Sequence, residues 1–90
     1  MAVERRSLIF HGRVQGVGFR YRAQYLASSL GLTGWVKNEY DQTVSMEVQG
    51  ESTTIDRLLK QLNTGSYIQI DWVDSSKIPL KEERSFKVWY

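Results

Sequence analysis

Cysteine is absent from all 90 residues. That excludes disulfides, a thiol nucleophile and a thiolate metal site, and it fits a reducing compartment. Histidine occurs once, as His11, and no group of carboxylates has metal-ligand spacing. The sequence therefore implies no metal and no cofactor. Proline also occurs once, at Pro79, and no linker, repeat or low-complexity tract divides the chain. Residues 1–90 read as one domain. Long hydrophobic runs are missing too. Nothing approaches the roughly 18 apolar residues of a membrane span. The apolar part of Met1 to Phe10 is too short for the core of a signal peptide. The expectation is a cytoplasmic protein with no membrane partner.

Excess charge is small, with a net value of +2, but it is unevenly placed. Up to Asn38 there are six Lys/Arg (Arg5, Arg6, Arg13, Arg20, Arg22, Lys37) against the single acid Glu4, giving +5. From Glu39 onward there are six bases against nine acids, giving −3. A basic half suggests an anionic partner. A solvated basic surface explains the same counts.

Leu8, Phe10, Gly12 and Val14 alternate with Ile9, His11 and Arg13, as in a strand. Phe19, Ala23, Leu26, Ala27 and Leu30 share one helical face, and Gly31 is a stop signal. Thr33 to Glu39 reads as a second strand. Val44, Met46 and Val48 alternate with polar residues as a third. Thr53 and Asp56 resemble a capping box. Ile55, Leu58, Leu59 and Leu62 then fall on one face of a second helix. Ile68, Ile70 and Trp72 alternate as a fourth strand, and Phe86, Val88 and Tyr90 as a fifth. This phase puts Trp72 and Tyr90 in the core. It puts Trp35, Lys37 and Trp89 on the other sheet face. The order β-α-β-β-α-β with a closing strand predicts an α+β, ferredoxin-like (split βαβ) sandwich. The expectation is an antiparallel five-stranded sheet with two helices on one face.

Gly12-Arg13-Val14-Gln15-Gly16-Val17-Gly18-Phe19-Arg20 joins the first strand to the first helix. Three glycines in seven residues suit a loop that curls its N–H groups inward. At a helix N-terminus, unpartnered N–H groups and the dipole make an anion site. Arg20 adds a planar fork that matches a phosphoryl group. From this segment alone two readings stand open: that site, or a tight turn with an arginine in water. Neither a Walker A loop nor a dinucleotide fingerprint fits the glycine spacing.

Gly12 to Arg20 resembles the first signature of the acylphosphatases. Gly34-Trp35-Val36-Lys37-Asn38, followed by Val44 and Gly50, resembles the second, and Phe86 to Tyr90 is similar to the family's C-termini. The resemblance implies the fold just described and an acylphosphatase acting on a small acyl phosphate, with neither cofactor nor nucleic-acid partner. It implies that Arg20 binds the phosphate. The backbone of Gln15, Gly16, Val17, Gly18, Phe19 and Arg20 would cradle it, and Asn38 would orient the attacking water. The family usually has glycine four positions after that asparagine, where this chain has Gln42. A positive φ there would cost roughly 1–2 kcal/mol. Phe10 also departs from the more usual aliphatic residue.

An acyl phosphate needs little help. Its leaving carboxylate has a conjugate acid near pKa ~4, by analogy with side-chain carboxyls. What remains is to neutralise the phosphoryl oxygens and place a water in line. His11, one residue before the loop, invites a general-base role, but its alternation reads as a plain strand position. Arg22 lies near the loop and is assigned no catalytic role. A rival reading is a nucleic-acid-binding module, supported by the basic half and the aromatics. The Arg/Lys-Gly-Phe-Gly-Phe pattern of RNA-recognition domains is absent. Gly31-Leu32-Thr33-Gly34 spells a GxxG, which a helix-ending glycine plus a strand glycine explains. A monomer is the simplest expectation for this size.

Overall fold

The computed structural model describes residues 2–64 and 67–90. Five strands and two helices follow in the order β1 (Val3–Arg13), α1 (Phe19–Ser29), β2 (Thr33–Asn38), β3 (Val44–Glu51), α2 (Ser52–Leu62), β4 (Gln69–Ile78) and β5 (Phe86–Trp89). The strands form one sheet, ordered β4-β1-β3-β2-β5. Among the described residues no helix is long and apolar enough to cross a membrane.

The apolar alternation of the central strands places Leu8, Phe10, Val36, Val44, Met46 and Val48 on one sheet face, all fully buried. Against that face lie Phe19, Ala23 and Ala27 of α1 and Ile55, Leu58 and Leu62 of α2. The alanines let α1 sit close to the sheet. Phe19 meets Phe10 with ring centroids 5.0 Å apart, which anchors the start of α1 at the end of β1. Helix α1 ends as expected. Leu32 N–H donates to the Ala27 carbonyl at 2.9 Å and Gly31 N–H to Ser28 at 3.1 Å, with Gly31 left-handed at φ 72°. That pattern is a Schellman ending.

Three expectations need correction. The sheet is mixed, because β5 runs parallel to β2. Strand β4 ends opposite the start of β1. The strap of residues 79–85 crosses that same end of the sheet, so β5 sets out in the direction of β2. The capping box does not form either. Helix α2 begins two residues earlier than that cap implies, at Ser52, with Glu51 at its N-cap and no side-chain cap bond. Its entry is set by backbone pairing, Ser52 N–H donating to Ala2 at 3.1 Å.

The third correction concerns the aromatics. Trp72 is 57% exposed and Tyr90 84%. His11 pairs with Trp72 but Gly12 pairs with Ile70, so Asp71 is an extra residue in β4. A bulge of one residue inverts the alternation beyond it. Ile70 keeps the core phase, while Trp72 turns to the open face and stacks on His11 at 4.2 Å. Trp35 and Trp89 do lie on the open face, stacked at 4.5 Å with 4° between their planes.

At the other end of the open face, Arg5 is only 1% exposed. Its Nε donates to Glu47 at 3.0 Å and its Nη1 to Glu83 of the strap at 2.6 Å. Gln49 exchanges two bonds of 2.9 Å with the backbone of Lys81. These contacts hold the strap down across the sheet.

Candidate active site

Strands β1, β2 and β5 all end at the edge of the sheet where α1 begins. The loop after β1 turns into α1 through Gly16 at φ 71° and Gly18 at φ 78°. Gly18 is the helix N-cap and offers no side chain, and no acid stands in the first turn. The first helical bond runs from Arg22 N–H to the Gly18 carbonyl at 3.1 Å. The N–H groups of Phe19 to Tyr21 therefore precede the helical ladder and carry the positive end of the dipole. Successive left-handed turns at a helix start make the concave arrangement that holds anions.

The Gln15 side chain ties the loop down. Its Nε2 donates to the carbonyls of Glu39 and Thr43, both at 2.8 Å. One amide thus bridges the loop to both ends of the β2–β3 turn. The sequence places Gln15 in the loop for its backbone, and this side-chain role is not visible there. The only local hint is a polar side chain among glycines and valines.

Arg20 is half-buried. Its Nη1 donates to the Trp89 carbonyl at 3.0 Å, and its guanidinium carbon sits 5.0 Å from the centre of the Tyr90 ring. The Tyr90 hydroxyl meets that of Tyr21 at 2.6 Å, a bond that raises the Tyr90 pKa above the ordinary phenol value. The end of β5 therefore sets where Arg20 points. None of these contacts is readable before β5 is placed beside β2.

Asn38 closes β2 on the helix-facing side. Its Oδ1 is buried and has no hydrogen-bond partner among the described residues. A buried polar atom without a partner costs free energy and calls for an explanation. A cleft of about 210 Å³ opens here, lined by Gly16, Gly18, Arg20, Tyr21 and Asn38 over Val14 and Phe19. Arg20, Asn38, Gly16, Gly18 and Phe19 thus meet in one place, while Gln15 and Val17 do not line it. Arg22 turns away, its Nη2 donating to the Gln61 carbonyl at 3.0 Å and to Thr64 at 3.2 Å. It joins the two helices.

His11 is on the opposite sheet face. Its Nε2 lies 2.8 Å from Asp74, and its ring covers Trp72. We expect His11→Asn to leave turnover of an acyl phosphate within a few-fold of wild type. A collapse of turnover with the circular dichroism spectrum intact would contradict this placement.

The turn after Asn38 spans Tyr40, Asp41 and Gln42, closed by Glu39 N–H donating to the Thr43 carbonyl at 2.9 Å. The Thr43 hydroxyl and N–H both donate to the Asp41 carboxylate, with the hydroxyl bond the larger cause of its lowered pKa. A lowered folded value favours folding above the ordinary carboxylate pKa, and the contribution is lost as pH falls through the folded value. Gln42 is the one non-glycine residue with positive φ among those described, at 74°. A three-residue hairpin loop places a left-handed residue at this point, where glycine fits without strain. We expect Gln42→Gly to stabilise the fold by about 1 kcal/mol. For a domain of this size that is a Tm rise of roughly 4–8 °C. An unchanged or lower Tm would mean the turn stores no such strain.

The acylphosphatase family model matches residues 6–88. An acylphosphatase of Clostridium acetobutylicum is 44% identical over 81 residues, covering 88% of this chain and 89% of that protein. One of Geobacillus kaustophilus is 48% identical over 64 residues, covering 71% of this chain and 68% of that protein. The crystal structure of acylphosphatase from Bacillus subtilis superposes with a TM-score of 0.90 at 28% identity, covering 99% of this chain and 100% of that one.

Proposed function

The chain belongs to the acylphosphatase family and is a hydrolase acting on acyl phosphates, and from that premise we propose that Arg20, the 15–19 loop and Asn38 carry the reaction. The observation that carries this reading is that Arg20 and Asn38 line one cleft at the start of α1, with the buried Asn38 Oδ1 left without a partner among the described residues.

The phosphoryl group enters the cleft against the loop. Backbone N–H groups and the Arg20 fork donate to its oxygens, and charge-assisted bonds of this kind are about twice as strong as neutral ones. The Asn38 side-chain amide holds a water and aims its oxygen at phosphorus, opposite the acyl oxygen. An amide oxygen cannot take the water's proton at neutral pH, so a phosphoryl oxygen accepts it. The P–O bond to the acyl group breaks and the carboxylate departs without protonation. The products are a carboxylate and inorganic phosphate.

The cleft's polar side chains are a guanidinium, an amide and a phenol. None of them is a usual ligand for magnesium or zinc. We expect activity on benzoyl phosphate to survive excess EDTA. Complete loss, restored by a divalent metal, would refute the metal-free reaction. Inorganic phosphate should bind the same cleft and stabilise the fold by mass action. Tenfold above its Kd the gain is about 1.4 kcal/mol. The protein acts as a cytoplasmic monomer on a small acyl phosphate, a reading supported by the absence of cysteine and by a cleft built from one chain.

A further inference from the structure

Two grooves larger than the catalytic cleft lie along the strap. One of about 540 Å³ adjoins Gln49. The other, of about 440 Å³, is bounded by Lys81, Arg84 and Ser85 of the strap and by Lys87 and Trp89 of β5. The second has a distinct chemistry. Its three cations, Lys81, Arg84 and Lys87, are exposed. Of its two acids, Glu82 and Glu83, the latter is already engaged by Arg5 at 2.6 Å. The groove is therefore net positive. Stacking on Trp35 covers one face of the Trp89 ring. Strand β5 is at the sheet edge, and Trp89 lines the groove while still 43% exposed.

We propose that this groove binds a mononucleotide, with the base stacked on Trp89 and the phosphate held by Arg84 and Lys87. An indole face takes any base without regard to sequence, and the two cations suit a phosphate. The volume lies in the range of single small ligands, about 300–1,000 Å³. The strap limits what fits. Arg5 and Gln49 tie it across the central strands, so the groove takes one nucleotide and not an extended strand. The site is distinct from the catalytic cleft. Trp89 lines the groove, and its carbonyl accepts from Arg20 of the cleft.

The test is a calorimetric titration with AMP at low salt. Wild type, Arg20→Ala, Trp89→Ala and the double variant Arg84→Glu/Lys87→Glu are compared. Saturable binding with one AMP per chain is expected, weakened roughly tenfold or more in Trp89→Ala and in the double variant. Arg20→Ala should bind AMP as wild type does, whether or not Arg20 serves catalysis. Adenosine alone and inorganic phosphate alone should each fill only half of the groove and bind more weakly there. The double variant alters exposed side chains only, so it decides the matter even if Trp89→Ala fails to fold. Absence of AMP binding at millimolar concentration overturns the proposal. So does AMP binding that is lost in Arg20→Ala and kept in the double variant, which would place the nucleotide in the catalytic cleft. Binding of oligothymidylate without binding of AMP would also overturn it, because the open face would then take a strand.

Discussion

Replacing Arg20 with alanine should lower kcat/KM for benzoyl phosphate by roughly a thousandfold, the scale on which a phosphate-stabilising arginine acts. Among the described residues the guanidinium is the one side-chain cation lining the cleft. Its bond to the Trp89 carbonyl and its place over Tyr90 hold it before substrate arrives, so little ordering is left for the moment of reaction. Arg20→Lys should recover only part of the loss, because an ammonium keeps the charge but not the two-pronged geometry. Asn38→Ala separates placement of water from grip on phosphate. Its kcat should fall by about 100- to 1,000-fold, the range for losing one preorganised polar group, while KM stays within a few-fold. Its stability should not fall, because the substitution removes a buried oxygen that has no partner among the described residues. A variant less active yet at least as stable as wild type marks a group kept for chemistry. Unaltered turnover in Asn38→Ala, followed by the ultraviolet absorbance of benzoyl phosphate, would remove Asn38 from the mechanism.

Gly34→Ala should be the most damaging change to the fold. Gly34 is buried in β2, paired with Val48 on one side and Phe86 on the other. A Cβ built there would lie 1.9 Å from the Glu47 carbonyl oxygen and 3.0 Å from the Val48 Cα. Both obstacles are backbone of a central strand, so no side-chain rotation relieves them. The φ of 141° adds strain for any L side chain. Overpacking a core commonly costs about 1–3 kcal/mol, and here a strand must move. We expect a loss of about 3 kcal/mol or more, lowering Tm by at least roughly 12 °C, and failure to fold is within reach of a marginally stable domain. A Tm within a few degrees of wild type would show that β2 and β3 do not approach as closely as described.

These two predictions differ in how early they can be made. Arg20 and Asn38 stand out in the sequence, because the spacing of Gly16, Gly18 and Arg20, and of Gly34 to Asn38, is local and resembles that of the acylphosphatases. The steric need for glycine at position 34 follows only from pairing with a strand that begins ten residues later. The same divide runs through the rest of the molecule. Helix faces, the Schellman ending at Gly31 and the alternation of β1 to β3 depend on neighbours two to five residues apart. Such patterns are written in order along the chain and could be read from it.

Tertiary structure decided the rest. The Asp71 bulge, which turns Trp72 outward, exists only in the register between β4 and β1. The direction of β5 depends on the path of the strap. The Gln15 bridge to Glu39 and Thr43, the burial of Arg5 against Glu47 and Glu83, and the support of Arg20 by Trp89 each join residues 24 to 78 positions apart. A charged or amide side chain in a sequence carries no sign of such a partner, because its solvation is settled by whichever residues the folded chain brings beside it. The sequence by itself determined the elements, the glycine-rich loop and the two residues we propose for the reaction. Only the assembled sheet decided how those residues are held, since aiming a side chain takes contacts from strands far away along the chain.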